Sequence, residues 1–426
     1  MENSKAGIGA FAKSLFTQGL PDAASPRLAS LDAYRGLVIL MMIFVNYIGE
    51  MPGVPHWLKH ATASEDTFTF PDLVFPGFLF MVGMAIPLAF WNKFDAPLWP
   101  TLRRILWRTV CLLGIGVLYE NSSRYDAVHS LLPKPLFMTL FYFSVIGLWY
   151  HGKGKKPWHA AVAAGVILVL MLLFRGEVVD GYTGPYLEHT FWGILGLIGW
   201  AYLLCSLIYL LCRGSGTVLM GAMAFMLAMY MGDRAGRFDF LPLCIRNFVG
   251  IGAILGSTAA NAMAGVIIGR LFIPGSPRPE PSAAAMHARR IVPMAVFAVA
   301  MIAAAILLRP FHGISKIGAT ESYTLIAAGI NLLGFLAFYV ILDVLKWRAW
   351  AAVLIPAGVN ALFAYIIPDL WDQLTALAGV GKLWWKLAWP CLEQGGGAGI
   401  ANGAVVSVFM LLLTLIATRA GLRLKA

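Results

Sequence analysis

Charged residues are scarce in this chain of 426 residues. They make up 12% of the sequence, whereas hydrophobic residues make up 59%; in an ordinary soluble domain about a quarter of the residues are charged. This shortage excludes an ordinary soluble protein and indicates a polytopic membrane protein, with the lipid bilayer as a partner. The net charge of +11 is explained by basic loops on the cytoplasmic side of a membrane, so no nucleic-acid partner is expected.

Neither a CxxC pair nor the apolar core of a signal peptide is evident in the sequence. The five cysteines are scattered and contain no CxxC pair, which argues against a disulfide framework and a zinc site. Residues 1–27 lack the continuous apolar core of a signal peptide and are interpreted as cytoplasmic. We therefore expect a cytoplasmic extension at 1–29 and a transmembrane domain at 30–426. No internal repeat is evident, which counts against the inverted-repeat transporters.

Apolar runs of spanning length predict an all-α bundle of about 11–12 transmembrane helices. A count of roughly ten or eleven stays open, because one run is short and another is broken by Pro356. A segment rich in proline and serine at about 270–290 predicts a flexible linker. The predicted spans are 33–50, 72–92, 104–120, 135–150, 158–174, 191–212, 217–232, 248–269, 291–308, 323–345, 351–367 and 400–418.

The distribution of basic residues predicts the orientation of the bundle. If the N-terminus is inside, most of the 32 Lys and Arg residues fall in cytoplasmic segments, as the positive-inside rule requires. Both termini are then cytoplasmic. The polar interval 46–76 then lies at the outer face.

The interval 46–76 concentrates the residues with chemical potential. His56 and His60 are four residues apart, but without a third ligand they are weak evidence for a metal, and no metal is expected. Catalysis is the alternative, because imidazole can take a proton from an attacking amine or hydroxyl. A carboxylate would then fix the ring tautomer. Three carboxylates remain candidates for that role: Glu65, Asp66 and Asp72.

Several polar residues have structural interpretations beside the functional ones. Asn46 lies in an apolar helix and either joins helices or lines a polar cavity. Ser30 or Asp32 is expected to cap the first helix, with Asp32 paired to Arg35; alternatively, Arg35 meets a phosphate. Asp72 is expected to be an N-cap, which is compatible with a catalytic role.

Four later residues are expected to have structural roles. His312 is interpreted as an ordinary loop residue, and Thr320 with Glu321 is expected to serve a helix N-terminus. Asp343 is expected to pair with Lys346 or Arg348.

Four motifs occur in the order SLDAYRG, FVNY, HWLKHA and DLVFPGFLFMVG. Together they resemble the transmembrane acyltransferases related to heparan-α-glucosaminide N-acetyltransferase. The later motifs SKIGATESYTL, LDV and GVNALFAY, at 315–325, 342–344 and 358–365, are similar to those of the same family. The resemblance touches most of the chain and is dense at 30–90 and 315–365.

The resemblance implies transfer of an acetyl group from cytoplasmic acetyl-CoA to an amino sugar such as a terminal glucosamine at the outer face. It makes His60 the general base or transient acetyl acceptor, with Asn46 positioning thioester or substrate. Asp72, as a carboxylate able to fix the tautomer, is expected to complete the catalytic set. The residues expected to hold the donor are Arg35, Arg103, Arg104 and Lys316.

The chain also departs from the family pattern. The interval 61–71 reads ATASEDTFTFP, and 192–200 reads WGILGLIGW, where lysosomal members have other polar motifs. The lysosomal luminal domain is not matched. We therefore expect a bacterial branch member in the cytoplasmic (inner) membrane, assembled as a homodimer, whose acceptor is an amino sugar or glycan. The alternative is a membrane transporter of a sugar or anion.

Overall fold

The computed structural model describes residues 28–49, 51–152, 156–179, 181–273, 282–381 and 395–424. Within these ranges the regular elements are helices, and β-structure is limited to two isolated bridges. The all-α fold is therefore confirmed. The helices are α1 Ala29–Ile48, α2 Val74–Phe90, α3 Leu98–Asn121, α4 Lys134–Trp149, α5 Pro157–Leu173, α6 Gly193–Leu211, α7 Gly216–Arg234, α8 Leu243–Val249, α9 Ala259–Gly269, α10 Ala283–His312, α11 Glu321–Tyr339, α12 Leu354–Val359, α13 Ala361–Leu377 and α14 Gly397–Arg419.

Short 3-10 and π-helical segments extend or precede several of these helices. One 3-10 turn leads directly into α2, and one π-helical segment precedes α9. These segments are His56–Leu58, Phe70–Leu73, Ser122–Arg124, Ile251–Thr258, Arg270–Phe272, Val340–Val344 and Ala349–Ala352.

All twelve predicted apolar segments are helical. Among the described residues, eight helices are long and apolar enough to cross a membrane, and α4 and α5 are shorter apolar helices. By length and composition alone, the described helices thus provide fewer candidate membrane spans than the 11–12 expected from the sequence. One reason is that α3 contains several arginines, and another is that the predicted 351–367 span divides into α12 and α13 at Asn360. The orientation of the termini stays a prediction.

Two predicted boundaries differ from the structure. The predicted linker at 270–290 is shorter, because α10 already begins at Ala283; residues 274–281 lie outside the described ranges. Most of the predicted extension at 1–29 also lies outside them, and α1 begins at Ala29.

The outward faces of the helices are apolar. Along α10 the exposed side chains include valines, an isoleucine and a leucine spaced through the helix. Only 22% of the most apolar stretch of this helix is buried. Continuous exposed apolar surface is unfavourable in water but is what hydrocarbon requires. The fold is therefore that of a polytopic membrane protein.

The described chain forms two compact units. The terminal unit comprises the described residues within Met1–Pro55, Trp149–Ala160 and Gly334–Ala426. The central unit comprises those within His56–Leu148 and Ala161–Leu333.

In the terminal unit, the start of α1 is held by a residue far away in the sequence. The backbone N–H of Ser30 donates to Asp343 Oδ2 at 3.1 Å. The expected cap is therefore wrong, since Ser30 and Asp32 lie inside the first turn. The expected pairs of Arg35 with Asp32, at 2.8 Å, and of Arg348 with Asp343, at 3.4 Å, are confirmed.

In the central unit, α2 and α9 pack with their backbones in contact. A Cβ atom on Gly83 would lie 1.9 Å from the carbonyl oxygen of Ala262, and one on Gly265 would lie 2.0 Å from that of Phe80. Only glycine permits this approach, as at small-residue interfaces between membrane helices. The contact fixes α2, the helix that follows the polar segment 56–69.

Gly83→Ala should destabilise the protein by about 1–3 kcal/mol, because its new methyl group overlaps backbone rather than a movable side chain. Thermal unfolding in detergent measures this effect. Gly165→Ala in α5 is the matched control, since its Cβ would meet nothing within 4 Å. Equal melting temperatures for the two variants would contradict the packing described for α2 and α9.

Candidate functional site

Asp72 lies in the 3-10 turn that leads into α2. Thr69 is the N-cap residue of this turn, and its backbone N–H donates to Asp72 Oδ2 at 3.0 Å. The prediction of Asp72 as the N-cap is therefore wrong by three positions. Its carboxylate reaches back to the cap backbone, as the acidic residue of a capping box does.

The carboxylate of Asp72 is completely buried and accepts several hydrogen bonds. Oδ2 also accepts from the N–H of Ala61 at 3.2 Å, and Oδ1 accepts from Nδ1 of His60 at 2.7 Å. The Thr69 hydroxyl lies within reach of both Oδ2 and the carbonyl oxygen of Lys59, at 2.9 and 2.6 Å. A buried charge needs such partners, because removal from water costs several kcal/mol.

The contact with Asp72 sets the tautomer of His60. An ionised carboxylate only accepts hydrogen bonds, so Nδ1 carries the proton and Nε2 keeps a lone pair. The His60 side chain is 47% exposed, in contrast to the buried carboxylate behind it. This arrangement presents Nε2 as a base or nucleophile.

The structure distinguishes the three candidate carboxylates. Glu65 lies 3.0 Å from Nε2 of His56, whereas Asp66 pairs with Arg309 at 2.9 Å. Asp72 is thus the carboxylate that orients His60. Among the described residues, no group of three or more His, Cys, Asp and Glu side chains is placed to hold a metal.

Lys316 approaches the same imidazole from the connection between α10 and α11. Its Nζ lies 2.9 Å from Nδ1 and 3.3 Å from Nε2 of His60, and 3.6 Å from Asp72 Oδ1. Burial lowers the pKa of Lys316, while the negative charge of Asp72 opposes that shift. The sequence grouped Lys316 with the donor-binding residues, and the structure brings it to His60.

The other predicted site residues lie on α1 and α3. Asn46 is exposed on α1 and Arg35 pairs with Asp32, both in the terminal unit. Arg103 and Arg104 are exposed in the first half of α3. Their predicted roles stay predictions.

Tyr323 supports the site and was not identified from the sequence. In a regular α-helix the N–H of residue 76 would donate a hydrogen bond to the carbonyl oxygen of Asp72. Residue 76 is a proline and has no N–H to donate. The Tyr323 hydroxyl donates to that oxygen at 2.6 Å, and Asn331 donates to the carbonyl of Leu73 at 3.0 Å. Pro76 could have indicated a backbone carbonyl without its helical donor, but nothing in the sequence pointed to Tyr323 as the replacement.

His312 is not an ordinary loop residue, contrary to expectation. It ends α10, and its Nδ1 lies 2.7 Å from the fully buried carboxylate of Glu321. Thr320 serves the start of α11, as expected, by accepting the N–H of Tyr323 at 3.3 Å.

Comparisons with known proteins agree with the motifs. Residues 27–238 match the family described as a domain of unknown function (DUF5009). Human heparan-alpha-glucosaminide N-acetyltransferase is 38% identical over 103 residues, which cover 24% of this chain and 15% of the human protein. The mouse protein of that name is 34% identical over 126 residues, which cover 28% and 18%. The aligned parts thus cover less than a fifth of either curated relative.

The fold and its apolar helices define an all-α polytopic membrane protein. The family match includes His60 and Asp72, whereas Lys316 lies beyond it. The matched part of the chain is similar to heparan-alpha-glucosaminide N-acetyltransferase. The resemblance seen in the motifs is confirmed at this level.

Asp66 gives a testable pH dependence. The N–H of Ile314, at 2.6 Å, and then the guanidinium of Arg309 hold the pKa of Asp66 below its ordinary value of 3.8. A lowered folded-state pKa means that Asp66 contributes stability above the ordinary value and loses it as pH falls through the folded-state value. Asp66→Asn should therefore lower the melting temperature at neutral pH, and the difference from wild type should vanish in acid.

Asp95→Asn is the control for this measurement, because Asp95 is a 90% exposed partner of Arg213. A constant difference between Asp66→Asn and wild type at all pH values would contradict the assigned contacts.

Proposed function

We propose that this chain is a transmembrane acetyltransferase that moves an acetyl group from acetyl-CoA to the amine of an amino sugar. One observation carries the proposal: an accessible imidazole, that of His60, is oriented by the buried carboxylate of Asp72 at 2.7 Å. The names of the human and mouse relatives supply the reaction class.

His60 acts through Nε2. As a general base, Nε2 takes the proton of the acceptor amine while that amine attacks the thioester. As a nucleophile, Nε2 takes the acetyl group first and passes it to the amine in a second step. In both routes Asp72 holds the proton on Nδ1 and balances the positive charge that develops on the ring, as in serine-hydrolase triads.

The donor carries phosphates at one end and the thioester at the other. Arg103 and Arg104 are the proposed phosphate partners on α3, and Arg35 is the candidate on α1, because guanidinium groups bind phosphate oxygens with charge-assisted hydrogen bonds. Asn46 is proposed to position thioester or substrate. The contact of Lys316 with His60 favours a place at the thioester end of the donor over one at the phosphates.

The membrane gives the reaction a direction. Acetyl-CoA is charged and does not cross hydrocarbon, so we place its nucleotide at the cytoplasmic face and the amino-sugar or glycan acceptor at the outer face. The acyl-pantetheine arm then reaches His60 through the bundle. We also propose that the protein lies in a bacterial cytoplasmic membrane and assembles as a homodimer.

His60→Ala should reduce acetyl transfer to glucosamine by about 10²–10⁴-fold, which is the usual contribution of a general acid–base group. Release of the CoA thiol by purified protein in detergent measures the rate. His129→Ala is the matched control, since His129 also binds an aspartate through Nδ1, Asp126 at 2.6 Å, but is 77% exposed in another loop. Wild-type activity in His60→Ala would exclude the assigned role. A wild-type protein that transfers no acetyl group but is stabilised by sugar alone would favour transport instead.

Acetyl-CoA should raise the melting temperature, because a ligand at about 100 times its Kd stabilises the native state by about 2.7 kcal/mol. The double variant Arg103→Gln/Arg104→Gln should weaken this shift, since each charge-assisted hydrogen bond contributes about 1.5–3 kcal/mol. Arg234→Gln/Arg237→Gln is the control, because it removes the same charge from two exposed arginines, one at the end of α7 and one in the turn after it. An unchanged shift in the first variant would remove Arg103 and Arg104 from the donor site.

A further inference from the structure

Lys316 contacts His60 in an unusual way. Its Nζ is almost equally distant from the two ring nitrogens, at 2.9 and 3.3 Å. A donor aligned with the lone pair of one ring nitrogen would lie much farther from the other. The near-equal distances place the ammonium group out of line with both ring lone pairs, so it does not occupy the in-plane direction in which Nε2 would meet a substrate.

The position of Lys316 is not needed to anchor its own loop. Ile314 donates its N–H to Asp66 at 2.6 Å, and the hydroxyl of Tyr230 donates to the carbonyl oxygen of Gly318 at 2.9 Å. These bonds hold the loop on both sides of Lys316. The ammonium is thus a partly buried cation, 28% exposed, that faces the reactive ring.

We infer that Lys316 is a catalytic residue that stabilises the negative charge on the acetyl oxygen during transfer, an inference that rests on the proposed acetyltransferase function. The acetyl oxygen of a group bonded to Nε2 lies two bonds from that nitrogen. An ammonium 3.3 Å from Nε2 is therefore within hydrogen-bond reach of the oxygen. Fixed donors aimed at a developing oxyanion are among the largest contributions to acyl transfer.

The nucleophilic route shows the role of the charge in each step. Nε2 bonds to the thioester carbon, and the carbonyl electron pair moves onto oxygen beside the Lys316 ammonium. The electron pair then returns to the carbonyl bond and the C–S bond breaks. The CoA thiolate is released, and the acetyl group stays on Nε2. The acceptor amine adds to the same carbon and places the negative charge on the same oxygen. Collapse breaks the C–Nε2 bond, and the amine proton passes to the CoA thiolate.

The charges around Lys316 predict a pH dependence. The groups that face it are His60 from the 56–69 segment and Asp72 from the turn before α2. The two helices that flank its loop carry His312, which ends α10, and Glu321 and Tyr323, which lie in the first turn of α11. Because the pKa of Lys316 is lowered, its charged form is lost as pH rises through that lowered value. The rate should fall at alkaline pH for this reason.

Kinetics of Lys316→Gln and Lys316→Arg test the inference in purified protein with acetyl-CoA and glucosamine. Lys316→Gln should lower kcat by about 10²–10³-fold while KM for acetyl-CoA stays near wild type. Lys316→Arg should restore part of the rate and extend activity to higher pH, because guanidinium keeps its charge. Lys59→Gln, which removes a lysine from the 56–69 segment, is the control.

Three results would overturn the inference: wild-type kcat in Lys316→Gln, a change confined to KM, or no recovery in Lys316→Arg at any pH. Acetylation of the Lys316 side chain during turnover, measured by mass spectrometry, would also overturn it, because the residue would then act as an amine. Failure of the proposed function is distinguishable, since the wild-type protein itself would then transfer no acetyl group.

Discussion

The buried charge of Asp72 is the interaction on which the site depends. A carboxylate with no exposed surface is tolerable only when its oxygens are hydrogen-bonded and a positive charge is near. The backbone of Ala61 and Thr69 and the ring of His60 supply the hydrogen bonds, and Lys316 supplies the charge. The polar segment 56–69 therefore folds around Asp72, and the exposed imidazole is held in one tautomer as a consequence.

The helices of the central unit hold that carboxylate in place. Pro76 deprives the backbone of Asp72 of a donor, and Tyr323 from α11 replaces it. Asn261, which lies on α9 beside the close contact with α2, donates to the carbonyl oxygen of Pro76 at 2.9 Å. The start of α2 is thus fixed by side chains from two other helices. Pro76 interrupts the hydrogen bonding of the backbone at the start of α2. Carbonyl groups there bond to side chains of other helices, and these bonds hold Asp72 in place.

The sequence predicted the features that depend on local pattern. Apolar run length located all twelve helical segments, and the motifs singled out His60. Asp72 was the expected catalytic carboxylate, with Glu65 and Asp66 left as alternatives for the partner of His60. The choice among them depends on long-range contacts, since Asp66 is taken by Arg309, 243 positions away. Lys316 lies 256 positions from His60. Periodicity carries no information about such pairs, which is why the contact of Lys316 with His60 and the role of the Tyr323 hydroxyl emerged only from the structure.

We propose that His60, held by Asp72 and contacted by Lys316, receives or directs the acetyl group. A single-particle electron-microscopy map of the protein with acetyl-CoA tests it most directly. We expect the thioester carbon to lie beside Nε2 of His60, with its carbonyl oxygen turned toward Nζ of Lys316. Bound acetyl-CoA whose acetyl end lies away from His60 would contradict the claim.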